Sequence, residues 1–152
     1  MTLTNASETA LLALLFENAA WTGIGDAGGL LPSATDGFYW ISLHTSDPGE
    51  APTNEQSENE ANYGGYLRVS LTRDTASTGW TVSGNSVTNN AAVEFAEATS
   101  GSNTITHFGI GAVNTAGGNG TLFMVGVLTS PISVTTGIQP VFAIGQLSAS
   151  AD

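Results

Sequence analysis

Two neighbouring carboxylates, Glu94 and Glu97, are of the residue type that glycoside hydrolysis uses, because one carboxyl group donates a proton while another acts as nucleophile or base. The alternation in Ala92-Val93-Glu94-Phe95 predicts a short strand with Glu94 on its outward side. Other acidic residues crowd a polar segment, 45–65, where the fixed geometry that catalysis needs would be hard to hold. We therefore predict no catalytic residue among the carboxylates.

The histidines are the other candidates for acid–base chemistry, and the sequence has two, His44 and His107. A nucleophilic serine or threonine would need such a base beside it. His44 ends a predicted strand and His107 lies within an alternating one, so we expect both to be hydrogen-bonded structural residues at a sheet surface. Because the Gly-x-Ser-x-Gly motif is also absent from the sequence, we predict that the chain is not an enzyme.

Metal and cofactor sites are predicted to be absent. The polar segment 45–65 offers oxygen ligands, but their spacing matches neither an EF-hand nor a nonapeptide repeat, so we expect a solvated acidic loop. Two Gly-x-Gly sequences lack the helix and third glycine of a dinucleotide site, and backbone turns or bulges explain them better. The acidic residues concerned are Asp47, Glu50, Glu55, Glu58 and Glu60, and the glycine sequences are Gly23-Ile24-Gly25 and Gly109-Ile110-Gly111.

Length and charge limit the class of protein. The 152 residues fit a single domain, 1–152, and the chain has no cysteine. Thirteen acidic residues against Arg68 and Arg73 give a net charge of −11, which repels phosphate backbones and anionic membranes, so we expect neither nucleic acid nor a membrane as a partner. The longest apolar run, Ala10 to Phe16, is too short to span a bilayer and lacks the preceding basic residue of a secretory signal. We therefore expect the protein to be made in a cytoplasm.

The N-terminal sequence predicts one α-helix, at about 5–18, with Asn5 as its cap and Glu8 as a capping-box partner. Leucines on one face and Leu12 and Phe16 on another make this helix apolar nearly all round, so most of its sides must be covered. Either the helix lies across the open end of a sandwich, or one side meets a neighbouring subunit.

The remaining sequence predicts seven to nine short strands. Phe38 to His44 is rich in aromatic and β-branched residues and ends in an Asp-Pro-Gly turn, so we expect a central strand there. Residues 66–73 alternate with a period of two, and Ser83-Gly84-Asn85 joins the strands of a hairpin. Turn residues recur every eight to twelve positions. This pattern predicts an all-β fold, an antiparallel β-sandwich that is jelly-roll-like, with one N-terminal α-helix.

The order of these elements resembles a family of small tailed-phage virion structural proteins that are labelled decoration or tail-fibre-like proteins. The resemblance covers nearly the whole chain and implies a virion component without enzymatic residues. The motifs that support it are a Leu-rich helix ending in Glu17-Asn18, the strand and turn Trp40 to Glu50, Gly64-Gly65-Tyr66-Leu67-Arg68-Val69, Asn89 to Phe95, Ile105 to Ile110, Gly126-Val127-Leu128 and Val141 to Leu147.

From this resemblance we expect a capsid decoration or cement protein that binds the outer surface of the assembled head as a homotrimer, with the major capsid protein as its partner. The alternative is a tail-fibre, spike or baseplate component, with Tyr63, Tyr66 and the segment 45–65 contacting glycan on the host surface. A secreted carbohydrate-binding sandwich domain is a further alternative. Apolar residues in weakly structured sequence are the candidate interface residues: Leu11, Leu15, Phe16, Trp21, Leu30 and Leu31.

Overall fold

The computed structural model describes residues 2–25, 28–49 and 55–151. The strand pairs with a defined register are antiparallel, and one short helix precedes the strands, so the predicted all-β fold with an N-terminal helix is confirmed. The elements are α1 (Asn5–Phe16), β1 (Phe38–His44), β2 (Val69–Thr72), β3 (Trp80–Ser83), β4 (Ser86–Asn89), β5 (Val93–Glu94), β6 (Ser102–Gly111), β7 (Leu122–Thr135), β8 (Val141–Phe142) and β9 (Ser148–Ser150).

The chain forms two compact units, each assembled from separate stretches of sequence. Unit 1 contains Met1–Phe38, Leu71–Ala92 and Ala143–Asp152, and unit 2 contains Tyr39–Ser70 and Val93–Phe142. The expectation of a single domain over 1–152 stays a prediction.

In unit 1, helix α1 starts and ends at positions that differ slightly from those expected. Thr4, and not Asn5, is the N-cap, because the Thr4 side chain accepts a hydrogen bond from the Ser7 backbone N–H. The helix ends at Phe16, two residues early, because Asn18 adopts a left-handed backbone conformation with φ of 52°. Asparagine tolerates that conformation better than most residues, and it commonly ends helices.

The core of unit 1 lies between α1 and the three-stranded sheet β3-β4-β9. Leu12 and Phe16, one helical turn apart, are buried, and the Phe16 ring meets Trp80 edge-on with 4.9 Å between ring centroids. The predicted hairpin is confirmed, since β3 pairs with β4 and Ser83 lies opposite Ser86. The helix therefore packs on a sheet of its own unit.

In unit 2, β1 is an inner strand of a four-stranded sheet in the order β2-β1-β6-β7, as expected for a central strand. Trp40 to His44 pair with Gly111 to His107 of β6. Strand β7 is the longest of the strands, with 14 residues. Its pairing with β6 shifts register between Ile105 and His107, which marks a bulge.

The core of unit 2 combines aliphatic residues of β1 with a series of aromatic rings. Ile41 and Leu43 are fully buried, and the rings in contact are Tyr63, Tyr66, Phe95, Phe142 and Phe108. In the segment predicted as a strand over 66–73, the strand is limited to Val69–Thr72. Tyr66 and Arg68 point inward, whereas Leu67 between them is 64% exposed.

Candidate functional site

Arg68, one of the two basic residues of the chain, lies inside unit 2 with its side chain 0% exposed. The guanidinium forms a two-pronged ion pair with the Glu60 carboxylate, with 2.6 Å from Nε to Oε1 and 2.8 Å from Nη2 to Oε2. The Glu60 side chain is only 3% exposed. A buried cation needs such a partner, since removing either charge would leave the other unpaired in a medium that solvates it poorly.

The remaining donors of Arg68 are all used within the protein. Nη1 donates to the Val113 carbonyl at 2.8 Å and to Gln56 Oε1 at 3.2 Å, and Nη2 also donates to the Gly118 carbonyl at 3.0 Å. A guanidinium has five N–H donors, and each one here has an acceptor in the chain. Arg68 therefore has no N–H group left with which to bind an external anion.

The Glu60 carboxylate is equally saturated. Besides Arg68, it accepts hydrogen bonds from the Tyr66 hydroxyl at 2.8 Å and from the Gly117 backbone N–H at 2.7 Å. The Tyr66 hydroxyl oxygen accepts in turn from the Leu43 backbone N–H at 3.0 Å. Burial, and next the charge of Glu60, raise the pKa of Tyr66, so this hydroxyl stays a donor to Glu60.

His44 extends this network from the end of β1. Its Nδ1 donates to the Glu58 carbonyl at 2.8 Å, because a carbonyl oxygen can only accept, and its Nε2 therefore accepts from the Ser42 hydroxyl at 2.9 Å. Gln56 Nε2 donates to Ser42 Oγ at 3.3 Å and to the Trp40 carbonyl at 2.6 Å. Burial lowers the pKa of His44, which keeps the ring neutral. The expectation that His44 sits at a sheet surface is wrong, because it is fully buried.

Two glycines of β6 make room for the network. A Cβ at Gly109 would lie 2.7 Å from His44 Nε2, and a Cβ at Gly111 would collide with the side-chain amide of Gln56. The sequence Gly109-Ile110-Gly111 was expected to be a turn or bulge, and a register shift does fall between Ile110 and Gly111. The glycines are needed there chiefly because the buried polar side chains approach the backbone closely.

Arg73, the second basic residue, ties together three parts of unit 1. Nε donates to the Leu15 carbonyl at 2.7 Å and Nη2 to the Leu14 carbonyl at 3.0 Å, so Arg73 caps the C-terminus of α1, whose last turn has no basic residue of its own. Its other donors bond Asn18 Oδ1, Ser33 Oγ and the Asp36 carbonyl. Both cations of the chain are thus occupied by intramolecular hydrogen bonds.

The predicted acidic loop is much less solvated than expected where the structure describes it. Gln56 is fully buried, and Ala61 and Tyr63 are nearly so, whereas Asp47 and Glu58 are exposed, so the prediction of a solvated loop is correct for only part of 45–65. Glu50, one of the candidate calcium ligands, lies outside the described residues. Among the residues that are described, no three His, Asp or Glu side chains are grouped to hold a metal ion.

The residues considered for glycan chemistry differ in their exposure to solvent. Glu94 and Glu97 are exposed, as the alternation predicted for Glu94. Tyr63 and Tyr66 are only 3% and 8% exposed, so the expectation that they contact glycan is wrong. Burial also raises the pKa of Tyr63 to about 12. His107 is half-buried and its Nδ1 lies 2.8 Å from the Thr106 hydroxyl.

The candidate interface residues all lie in unit 1, at different depths. Phe16 is fully buried against Trp80 and offers no surface to a partner. Leu11, Leu15 and Trp21 are half-buried, and Trp21 pairs with Leu30 through two backbone hydrogen bonds of 2.9 Å. Leu30 and Leu31 are 46% and 72% exposed. That these residues contact a partner stays a prediction.

The chain folds as a β-sheet protein. The hydrogen bonds around Arg68 and Arg73 join distant segments of the chain and stabilise this fold. None of the curated proteins matches the chain. A family model described as "Podophage GP4 fiber I protein gp80" matches residues 2–150. The chain belongs to this family and is a structural protein of a phage virion, which confirms the resemblance to tailed-phage virion proteins. No helix among the described residues is long and apolar enough to cross a membrane.

Proposed function

We propose that the chain is a fibre component of the phage tail and has no enzymatic activity. The observation that supports this most is the match over residues 2–150 to a family whose description names a fibre protein. That description mentions no capsid, so it favours the tail-fibre alternative over the capsid decoration protein that we expected first. The major capsid protein is accordingly no longer the partner that we favour.

The two arginine clusters are consistent with a scaffold role. Arg68 and Arg73 are the only basic residues of the chain, and each has all five guanidinium donors bonded within it. We therefore assign both arginines to stabilising the fold. Any contact that the fibre makes with a host surface would depend on polar and apolar groups, because no arginine or lysine is available to pair with an anionic glycan.

Electron microscopy of phage particles labelled with gold-conjugated antibodies against the purified chain tests the location. We expect label on the tail, in a few copies per particle. Label spread over the head in many copies would overturn the tail assignment and support a capsid decoration protein. Particles of an unrelated phage are the control for nonspecific antibody binding.

The absence of enzymatic activity is tested by incubating the purified chain with surface polysaccharide of the host and measuring new reducing ends. We expect none. Release of reducing ends that is lost in Glu94→Gln or Glu97→Gln would contradict the proposal, since these carboxylates are exposed and their substitution leaves the core intact. Leu67→Gln, also exposed in unit 2, is the matched control.

A further inference from the structure

Asn119 is the one asparagine, of eleven in the chain, that precedes a glycine. The side-chain carbonyl carbon of an asparagine can be attacked by the backbone nitrogen of the next residue, which closes a five-membered succinimide ring. Glycine favours this reaction most, because it has no Cβ to shield its nitrogen and its backbone adopts the required conformations freely. The pair Asn119-Gly120 is therefore the position in this sequence that most favours spontaneous deamidation.

The structure leaves the reacting groups of this pair accessible. Asn119 is exposed and lies in the segment between β6 and β7 of unit 2. The Gly120 carbonyl accepts from the Gln56 backbone N–H at 2.8 Å, but no acceptor in the described part of the chain bonds the Gly120 N–H. The Asn119 side-chain nitrogen has no acceptor there either. Neither the attacking nitrogen nor the leaving group is therefore restrained by a hydrogen bond of its own.

Ser57, 62 residues earlier in the chain, donates to the carbonyl that would be attacked. Its hydroxyl lies 3.3 Å from Asn119 Oδ1, and the same proton can instead point to Glu55 Oε2 at 3.4 Å. Negative charge develops on Oδ1 when a nitrogen adds to Asn119 Cγ, and a donor already placed at that oxygen stabilises the charge. The contact with Ser57 therefore lowers the barrier to ring closure.

We propose that Asn119-Gly120 is a self-modification site, at which Asn119 is converted to aspartate and isoaspartate with the assistance of Ser57. The Gly120 nitrogen forms a bond to Asn119 Cγ, its proton passes to the amide group, and ammonia leaves. Water then opens the ring. Addition of water at Cγ breaks the bond to the Gly120 nitrogen and gives aspartate, whereas addition at the main-chain carbonyl carbon gives isoaspartate, in which the backbone runs through Cγ. Water is the one co-reactant, and nothing is oxidised or reduced.

The modification changes the segment that supplies acceptors to Arg68. The Val113 and Gly118 carbonyls of this segment both accept from the Arg68 guanidinium. Isoaspartate adds one carbon atom to the backbone directly after Gly118. The new carboxylate also lies close to Glu55, since the Ser57 hydroxyl is within hydrogen-bond distance of both side chains, and like charges repel. We therefore expect the converted chain to unfold at a lower urea concentration.

Incubation of the purified full chain at mildly alkaline pH, followed by peptide mass spectrometry, tests the site. Asn119 is expected to be converted at least about tenfold faster than Asn114. Asn114 is the matched control, because it is exposed in the same segment and accepts a hydroxyl hydrogen bond at 3.0 Å, but is followed by Thr115. Methylation by an isoaspartyl methyltransferase identifies the isoaspartate product. Ser57→Ala is expected to slow the conversion at least about twofold.

Urea unfolding before and after the incubation measures the effect on stability. The urea midpoint of wild type is expected to fall as Asn119 is converted. Asn119→Gln keeps a side-chain amide at the same exposed position, but its longer side chain closes the corresponding ring far more slowly. Its urea midpoint is therefore expected to stay unchanged over the same incubation.

Three results would overturn the proposal or a part of it. Equal conversion of Asn119 and Asn114 would remove the assignment of the site. An unchanged or faster conversion in Ser57→Ala would remove the role of Ser57, and an unchanged midpoint of fully converted wild type would remove the effect on stability. The reaction does not depend on where in the virion the chain lies, so these tests and the labelling experiment can fail independently.

Discussion

Replacing Arg68 by Met should destabilise unit 2 far more than an ordinary surface substitution does. The change leaves the Glu60 carboxylate buried with its Tyr66 and Gly117 donors but without its counter-charge. It also removes the donors to Gln56 Oε1 and to the Val113 and Gly118 carbonyls. Removing one partner of a buried ion pair costs about 3–5 kcal/mol, which is a large fraction of the roughly 5–15 kcal/mol that stabilises a typical domain.

Arg73→Met is the matched control, because it also removes a guanidinium with five intramolecular hydrogen bonds. The acceptors that it leaves, such as Ser33 Oγ and the Asp36 carbonyl, are exposed and can bond water instead. We therefore expect a loss of about 1–2 kcal/mol, mainly from the helix cap and the lost hydrogen bonds. Both variants lose five hydrogen bonds, so a difference between their free energies of unfolding reports the effect of burial.

Urea unfolding followed by tryptophan fluorescence and circular dichroism measures both free energies. Trp40 reports on unit 2 and Trp80 on unit 1. The double variant Glu60→Met with Arg68→Met should cost at least about 2 kcal/mol less than the sum of the two single variants, since it leaves no unpaired charge. If Arg68→Met lost less than about 1 kcal/mol, or if Arg73→Met lost as much as Arg68→Met, the reasoning from burial would be refuted.

Three further substitutions or conditions test other parts of the fold. Burial lowers the pKa of His44 in the folded chain below its value of about 6.5 in the unfolded chain. As pH falls below about 6.5, the unfolded chain therefore binds a proton at His44 that the folded chain does not bind. The free energy of unfolding should fall by up to about 1.4 kcal/mol per pH unit. Gly111→Ala should cost about 1–3 kcal/mol, because its Cβ would collide with Gln56. Phe16→Ala should cost about 3–5 kcal/mol in unit 1, because it leaves a cavity beside Trp80. Urea unfolding as a function of pH, or at pH 7 for the variants, measures each effect.

Each of these predictions has a control. His44→Gln should flatten the pH dependence between about pH 6.5 and 5.5, and an unchanged slope would assign it to other groups. Gly111→Ala should cost less in a Gln56→Ala background, where the colliding amide is gone, and equal costs in both backgrounds would argue against the collision. Leu31→Ala, at a residue that is 72% exposed, should stay within about 0.5 kcal/mol of wild type. A loss at Phe16 no larger than that at Leu31 would show that Phe16 does not hold the core.

Much of the secondary structure could be predicted because it depends on local sequence. Alternation and aromatic residues gave β1 with its observed bounds, Phe38–His44, and Gly84 gave the β3–β4 hairpin. The helix end was missed by two residues because Asn18 is fixed in a left-handed conformation, which periodicity does not reveal. The continuous 14-residue strand β7 was not predicted, because two register shifts against β6 interrupt its alternation.

Composition and local periodicity are enough to establish that the chain is acidic, free of cysteine and built mainly from short strands. The roles of the two arginines, in contrast, depend on contacts between distant segments of the folded chain. The Val113 and Gly118 carbonyls that bind Arg68 lie 45 and 50 residues away along the chain, and no local pattern indicates such partners. The rarity of basic residues in the sequence was a signal that Arg68 and Arg73 have specific roles. The burial of the Arg68–Glu60 ion pair, however, arises only when distant segments pack together.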